Sequence, residues 1–271
     1  MSTSINTNIK ALFARQAQTM NQRALEHAVE QLSTGRRINS ASDDAAGLGI
    51  SVRMAAKVSS LGQAVRNAND GISMMQTADG AAQTVTDILH RMKELTVQHL
   101  NGTNSTVQKG YLAAEFSGLT DRMGDIIDAT SWNGQSVLAL GATVSFAVGA
   151  DSGDSVEVDF EDFSGNSAIT AAMALDLNSA TGSYLSDIDD ALVAVNGARA
   201  EWGAGMAVLA HMADNAGNVA MNLDVSRSRI ADADYAQATS DLARAQIVQQ
   251  AGTAMLSQAN QLPYLVMALL R

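Results

Sequence analysis

Apolar residues recur with helical spacing along most of the chain, and the clearest run lies in its first half. Two series there repeat every seven residues: Met54, Leu61, Ala68, Met75, Ala82 and Leu89, and, four residues on, Val58, Val65 and Ile72. Such a pair of series is typical of a coiled-coil seam. The pattern predicts one long helix from about Ser42 to Leu100, roughly 90 Å long at 1.5 Å per residue. Ser40 or Ser42 is its expected N-cap.

A matching seam occurs in the second half of the chain. Its two series are Ile188, Val195, Trp202, Leu209 and Ala216, and Leu185, Leu192, Met206, Ala213 and Ala220, with Arg199 interrupting the second. This seam predicts another long helix that can pair with the first. Ser186 and Asp189 resemble the capping box at the start of such a helix. A shorter helix is predicted over Gln108 to Ala129, after the turn sequence NGTNS.

The two ends of the chain also have helical patterns. We predict a helix over Asn6 to Leu32 and a final helix from about Tyr235 to Arg271. The segment from Leu262 to Leu270 is almost wholly apolar, and exposed apolar surface marks contact sites. We expect both ends to pack against each other and against other subunits through Leu25, Val29, Leu32, Val248, Met255, Leu262, Val266 and Leu269.

The middle of the chain has strand periodicity and is acidic. An Asn-Gly turn at Asn133 is followed by the alternating segments TVSFAV and SVEVDF, which predict a β-hairpin. Residues 141–190 carry ten acidic side chains and neither Lys nor Arg. This charge favours a solvated surface and argues against nucleic acid, which needs a basic footprint.

These elements occur in a nested order and define the fold class. We predict a mainly α protein: a long antiparallel coiled-coil-like helical rod with paired N- and C-terminal helices and a small β-hairpin region in the middle. The expected parts are residues 1–41 with 235–271, residues 42–131 with 183–234, and residues 132–182. In this arrangement both termini lie at one end of the rod and the acidic middle lies at the other.

Candidate chemistry is sparse. The chain has no cysteine, which excludes disulfides and thiol catalysis, and its four histidines lack metal-site spacing. The acidic group Asp151, Asp154, Glu157 and Asp159 lacks the EF-hand pattern, so a solvated hairpin edge is favoured over a calcium site. We predict no catalytic residue, no metal and no cofactor. We also expect no signal peptide and no membrane span, and we favour an assembly protein over an enzyme.

Several motifs together resemble bacterial flagellin. They are INTNIKAL, LSTGRRINSASDDAAGLGIS, QAVRNANDGISMMQTADGA, MKELTVQHLNGTNS, TSWNG and QIVQQAGTAMLSQANQLPYLVMALLR. The resemblance covers about residues 1–140 and 185–271. Only about 45 residues remain for the large outer domains of the family, so the chain resembles a short flagellin without them.

The resemblance implies a structural subunit that self-polymerises into the flagellar filament for motility. The implied partners are other copies in a helical homopolymer, the flagellar export chaperone and type III export apparatus, and the filament cap and hook-junction proteins. The implied location is the extracellular bacterial flagellum, with the paired end helices forming the inner tube of the filament. The apolar C-terminal helix would be held by the chaperone before export.

A further implication concerns the flagellin-sensing Toll-like receptor of animal hosts. The family pattern read by that receptor resembles Leu89, Arg91, Leu95 and Glu115 here, although His90 stands where the pattern often has Gln. The structural interpretation is that both leucines are seam or subunit contacts and that Arg91 and Glu115 pair with a neighbour.

Two alternatives to a filament subunit remain from the sequence. A hook–filament junction protein shares related terminal helices, but the complete INSASDDAAG and NANDGIS motifs favour flagellin. A flagellin-like cell-surface protein that binds polysaccharide would need a binding patch in the middle region, which has few aromatic and no basic residues.

Overall fold

The computed structural model describes residues 7–151, 153–179 and 183–269, with side chains up to residue 261. The chain is mainly helical, which confirms the predicted fold class. Its helices are α1 (Ile9–Thr34), α2 (Ala45–Leu100), α3 (Thr106–Ala129), α4 (Ser167–Met173), α5 (Tyr184–Ala231) and α6 (Tyr235–Leu269). Its strands are β1 (Ser131–Trp132), β2 (Gln135–Ser136), β3 (Ala139–Ala147) and β4 (Ser155–Asp162).

Two helix starts differ from their prediction. Helix α2 begins at Ala45 because the Asp44 carboxylate accepts the Gly47 N–H at 2.8 Å, so an aspartate and not a serine satisfies the first turn. Helix α5 begins at Tyr184, and the Ser186 hydroxyl donates to the Ser183 carbonyl instead of capping. The capping box that does form is at α3, between Ser105 and Gln108.

The chain divides into two compact units. The first unit combines Met1–Ala56 with Asn222–Arg271, and the second is Lys57–Met221. The first unit therefore holds α1 and α6, while the second holds α3, both hairpins and most of α2 and α5. Each unit has its own way of packing.

The core of the second unit is centred on Trp202 of α5. Its ring lies 5.9 Å from the rings of both Phe160 and Phe163, and its indole Nε1 donates to the Asp159 carbonyl at 3.1 Å. The first seven-residue series on each long helix is buried here, from Leu61 to Leu89 on α2 and from Ile188 to Ala216 on α5, while most of the second series is half-buried. The two heptad series of the sequence thus mark the packed faces correctly.

Strands β3 and β4 form the predicted antiparallel hairpin. Val144 pairs with Val158 and Phe146 with Val156 on the face that packs inward, while Thr143 opposite Asp159 lies on the exposed face. A two-stranded hairpin is marginal alone, so its apolar face needs support from elsewhere. The helices of the second unit provide that support.

The hairpin folds back along α2 and α5, which corrects its expected place at the far end of the helices. Phe146 packs so closely on Gly71 of α2 that a Cβ there would lie 2.9 Å from the ring. The Asn67 amide donates to the Ala147 carbonyl at 2.9 Å, and Lys57 pairs with Asp151 at 3.1 Å. Lys57 precedes the last residue of α2 by 43 positions, about 65 Å of helix.

Candidate functional surfaces

The contact between α1 and α6 is built from alanine. The side chains buried along this pair are small, and they are Ala11 and Ala28 on α1 and Ala238, Ala245 and Ala259 on α6. Small side chains at a helix contact allow the two axes to approach closely. We call this contact the alanine seam.

Polar side chains reach across the alanine seam to the backbone of the opposite helix. The Asn8 amide donates to the Ala259 carbonyl at 2.7 Å, and the Asn21 amide donates to the Ala245 carbonyl at 2.8 Å. At the other end of the pair, the Tyr235 hydroxyl donates to the Leu32 carbonyl at 2.9 Å. These bonds fix the register of α1 against α6, because each side chain reaches only one carbonyl.

Most of the large apolar side chains of the same two helices are exposed. Phe13 is 73% exposed and Ile247 is 66% exposed. The other exposed members are Ile9, Leu12, Met20 and Val29 on α1, and Tyr235, Val248 and Met255 on α6. We call this set the outer apolar face. A single surface leucine is ordinary, but nine large apolar side chains exposed on two neighbouring helices indicate a site of association.

The residues predicted to form subunit contacts at the two ends of the chain differ in burial. Leu25 and Leu32 are half-buried, whereas Val29, Val248 and Met255 are exposed. The side chains of Leu262, Val266 and Leu269 lie outside the described residues. The prediction overlooked the alanine seam, although small residues do repeat by seven at Ala238, Ala245, Gly252 and Ala259.

The loop after α1 is tied to the joint between α5 and α6. The Arg37 backbone N–H donates to the Ala231 carbonyl at 2.7 Å, and the Ala233 N–H donates to the Gly35 carbonyl at 2.9 Å. The last residue of the segment INSASDDAAG has to be a glycine, because a Cβ at Gly47 would lie 2.3 Å from an Asp44 carboxylate oxygen. This segment therefore has a structural role, as the ordered connection between α1 and α2.

Asp43 organises the same loop. Its carboxylate accepts the backbone N–H groups of Ser40 and Asn39 at 2.8 and 3.0 Å, and His27 lies 3.4 Å away. The two backbone hydrogen bonds, with smaller help from the Ser40 hydroxyl and His27, hold the pKa of Asp43 below its usual value.

The four residues of the predicted receptor patch lie in the second unit and differ in burial. Leu89 and Leu95 are fully buried, so only Arg91 and Glu115 are exposed. Arg91 Nη2 lies 2.6 Å from Glu115 Oε1, and its Nη1 lies 3.0 Å from Glu94. Hydrogen bonds to the two carboxylates raise the pKa of Arg91 above its usual value. A receptor at this patch would meet the ion pair and not the leucines.

The described part of the chain shows neither a metal site nor a membrane span. Its His, Asp and Glu side chains form no group of three or more that could hold a metal ion. Over the same residues, no helix is both long enough and apolar enough to cross a membrane. The outer apolar face is typical of a class of protein built for association.

Comparison with known proteins identifies the family. The bacterial flagellin N-terminal helical region matches residues 5–143, and the bacterial flagellin C-terminal helical region matches residues 185–270. The chain is 42% identical over 270 residues to a flagellin of Halalkalibacterium halodurans, covering 98% of this chain and 99% of the relative. It is 32% identical over 377 aligned residues to flagellin E of Vibrio cholerae, covering both chains completely.

A solved structure supports the same assignment. The crystal structure of Bacillus cereus flagellin aligns with a TM-score of 0.51 and 28% identity, covering 56% of this chain and 88% of that one. The chain belongs to the bacterial flagellin family, and it is a structural subunit of the flagellar filament. Neither the family matches nor these relatives favour the hook-junction or surface-binding alternatives.

Proposed function

We propose that the outer apolar face forms contacts between subunits in the filament, while the alanine seam holds α1 to α6 within each subunit. The observation that carries this proposal is the division of side chains on the two helices. Alanines lie between them, whereas Phe13, Ile247 and Met255 lie outside. Burying such side chains is worth about 1.5–3 kcal/mol each, and the described residues leave them open to a neighbouring molecule.

The layers of the filament follow from this role. We propose that residues 1–41 and 235–271 form its inner core, residues 42–131 and 183–234 the surrounding helical layer, and residues 132–182 the outward acidic part. The charge of residues 132–182 supports the outward position, since this segment has seven acidic side chains and neither Lys nor Arg, which favours solvent. From the sequence alone, we propose that Leu262, Val266 and Leu269 belong to the same subunit contact.

The same surface explains the other proposed partners. An apolar face this large needs cover before assembly, and we propose that an export chaperone supplies it for α6 until the export apparatus takes the chain. The chain would then act outside the cell and meet the filament cap and the hook-junction proteins at the ends of the polymer. Its role would be structural, with no catalysis, metal or cofactor.

Recognition by the flagellin-sensing Toll-like receptor is a further part of the proposal. The exposed groups that support it are Arg91 and Glu115, whose ion pair presents a charged surface above the buried Leu89 and Leu95. We assign the two leucines a supporting role, because they hold α2 in place beneath the pair. Replacing Arg91 with Ala would then weaken receptor activation while the chain stays folded.

Seeded polymerisation tests the main proposal. Purified chain is added to sheared filament ends, and filament length is measured by electron microscopy for the parent chain, Phe13→Ser and Ile247→Ser. We expect both variants to lose most elongation, while the free energy of unfolding of the monomer changes by no more than about 0.5 kcal/mol.

A matched control is Gln16→Ser, which changes an exposed polar residue on the same helix as Phe13. It should elongate like the parent chain. Normal filaments from both apolar variants would show that the outer apolar face is not the subunit contact.

A further inference from the structure

The turn between α2 and α3 has an unusual combination of free and engaged groups. Asn101, Gly102 and Thr103 are exposed. The Thr103 N–H donates to the Asn101 side-chain Oδ1 at 3.2 Å, and the Asn104 N–H donates to the Asn101 carbonyl at 3.3 Å. Within the described part of the chain, the Gly102 N–H between them has no hydrogen-bond partner.

This arrangement suits one spontaneous reaction of asparagine. A hydrogen bond to Oδ1 draws electrons from the amide carbon, while the backbone nitrogen of Gly102 is unhindered by a Cβ and is not held by a carbonyl. We propose that Asn101 is a self-modifying site that converts to aspartate and isoaspartate by way of a cyclic imide.

The bonds in this conversion balance without any enzyme or cofactor. The Gly102 nitrogen loses its proton and attacks Asn101 Cγ, the Cγ–Nδ2 bond breaks, and ammonia leaves with that proton. A five-membered imide results. Water then adds to either imide carbonyl and breaks the carbon–nitrogen bond there, which leaves one new carboxylate on an aspartate or an isoaspartate. The first step needs a deprotonated amide, so the rate increases with pH.

The chain contains two other Asn-Gly pairs, and the structure separates them from Asn101. Gly197 lies inside α5, where its backbone N–H belongs to the helical hydrogen-bond ladder. Asn133 is held at a φ of 51° and Gly134 at 80° in the turn between β1 and β2, whose strands pair on both sides of it. Among these three pairs, all within the described residues, Asn101 alone combines exposure with a free glycine nitrogen and an engaged side-chain carbonyl.

The product changes the end of α2. A new carboxylate there lies beside the negative end of the helix macrodipole, which disfavours it. The isoaspartate form also adds a carbon to the main chain, and this misplaces the carbonyl that now accepts the Asn104 N–H. The fraction converted depends on the age of the chain, so the site makes the α2–α3 turn weaken with time.

Isotope labelling tests the proposal on the full chain. The protein is kept at mildly alkaline pH in water enriched in heavy oxygen, and its peptides are analysed by mass spectrometry. Opening of the imide adds one oxygen from water, which distinguishes conversion during the incubation from conversion during digestion. We expect label at Asn101 well before label at Asn133 or Asn196.

Gly102→Ala is the sharpest variant, because a Cβ at this position would meet nothing within 4 Å and the variant should fold. We expect it to slow labelling about tenfold, since the added methyl hinders the attacking nitrogen. The chain unfolded in urea gives the intrinsic rates of all three pairs. No label at Asn101 in the folded chain, equal label at the three pairs, or an unaffected Gly102→Ala rate would overturn the proposal.

Discussion

The two units of this chain differ in the size of the side chains that they bury. In the second unit, the bulky side chains Trp202, Phe160 and Phe163 fill the space between helices and a hairpin. In the first unit, alanines fill the contact between α1 and α6, and most of the large apolar side chains of these helices are exposed. The second unit therefore has a core of large side chains, whereas the α1–α6 pair of the first unit buries mainly alanines.

The difference shows how one chain can serve two purposes. A core of large residues gives stability to the monomer, because the free energy gained grows with the apolar area removed from water. A seam of small residues gains little, but it aligns two helices and leaves their large side chains for neighbouring subunits. Four predictions test this contrast, from the largest expected effect to the smallest.

Removing the central ring of the second unit should have the largest effect. Trp202→Ala leaves a cavity between two phenylalanines and removes the indole donor to Asp159. We expect a loss of about 3–5 kcal/mol in the free energy of unfolding, measured by urea denaturation with far-ultraviolet circular dichroism. The half-buried Trp132 is the matched control, and an equal loss in Trp132→Ala would contradict the central role of Trp202.

Enlarging the alanine seam should separate α1 from α6. In Ala245→Leu, the added atoms enter a position that is 5% exposed, and overpacking of this kind costs about 1–3 kcal/mol. Hydrogen exchange should show the loss as faster exchange in α1 and α6, with the second unit unchanged. Ala243→Leu adds the same atoms at an exposed position of α6 and should have no such effect. Equal exchange in both variants would mean that α1 and α6 do not depend on close packing.

Removing a hydrogen bond across the alanine seam should lower the stability of the first unit by a smaller amount. Asn21→Ala removes the donor to the Ala245 carbonyl and should cost about 0.5–1.5 kcal/mol in the first unit. The same exchange measurement would detect it near Asn21 and Ala245. Gln250→Ala, at an exposed position, is the control. Unchanged protection in Asn21→Ala would show that the register of the pair does not rest on this hydrogen bond.

Acid should affect the two units at different pH. Burial, with a smaller effect of Lys109, lowers the pKa of His99 in the second unit from 6.5. The unfolded chain therefore takes up this proton first, and stability falls as pH drops below 6.5. The pKa of Asp43 in the first unit is lowered from 3.8 by backbone hydrogen bonds, so its contribution is kept until pH falls below that value.

Urea denaturation across this pH range would separate the two effects. His99→Gln should reduce the loss of stability just below pH 6.5. Asp43→Asn should change the pH dependence of stability only in the more acidic range. A parent chain whose stability stays constant below pH 6.5 until the carboxylates titrate would contradict the role of His99.

Much of the fold was predictable from local patterns. The seven-residue series identified the buried faces of α2 and α5, since each position needs only the helical period to place it. The Asn133-Gly134 turn and the alternation in β3 and β4 were equally local, because a positive φ and a period of two are read from a few residues. The family motifs then supplied the function.

The candidate surface was less predictable. Leu89 and Leu95 fit both a seam and an exposed patch, and only the structure shows that both belong to the buried core of the second unit. Val248, Met255 and Ala259 share one apolar pattern, but the structure buries only Ala259 among them. Periodicity assigns side chains to a face of a helix, yet it does not say which face the other helix covers.

The order of residues was enough to specify the helices, their seams, the hairpin and the family, because these depend on neighbours a few positions apart. The return of β3 and β4 along α2 and α5, and the choice of alanines for the α1–α6 contact, required the assembled chain. Both arise from contacts between residues far apart in sequence, such as Gly71 with Phe146 and Asn21 with Ala245, whose fit depends on the shapes of both surfaces.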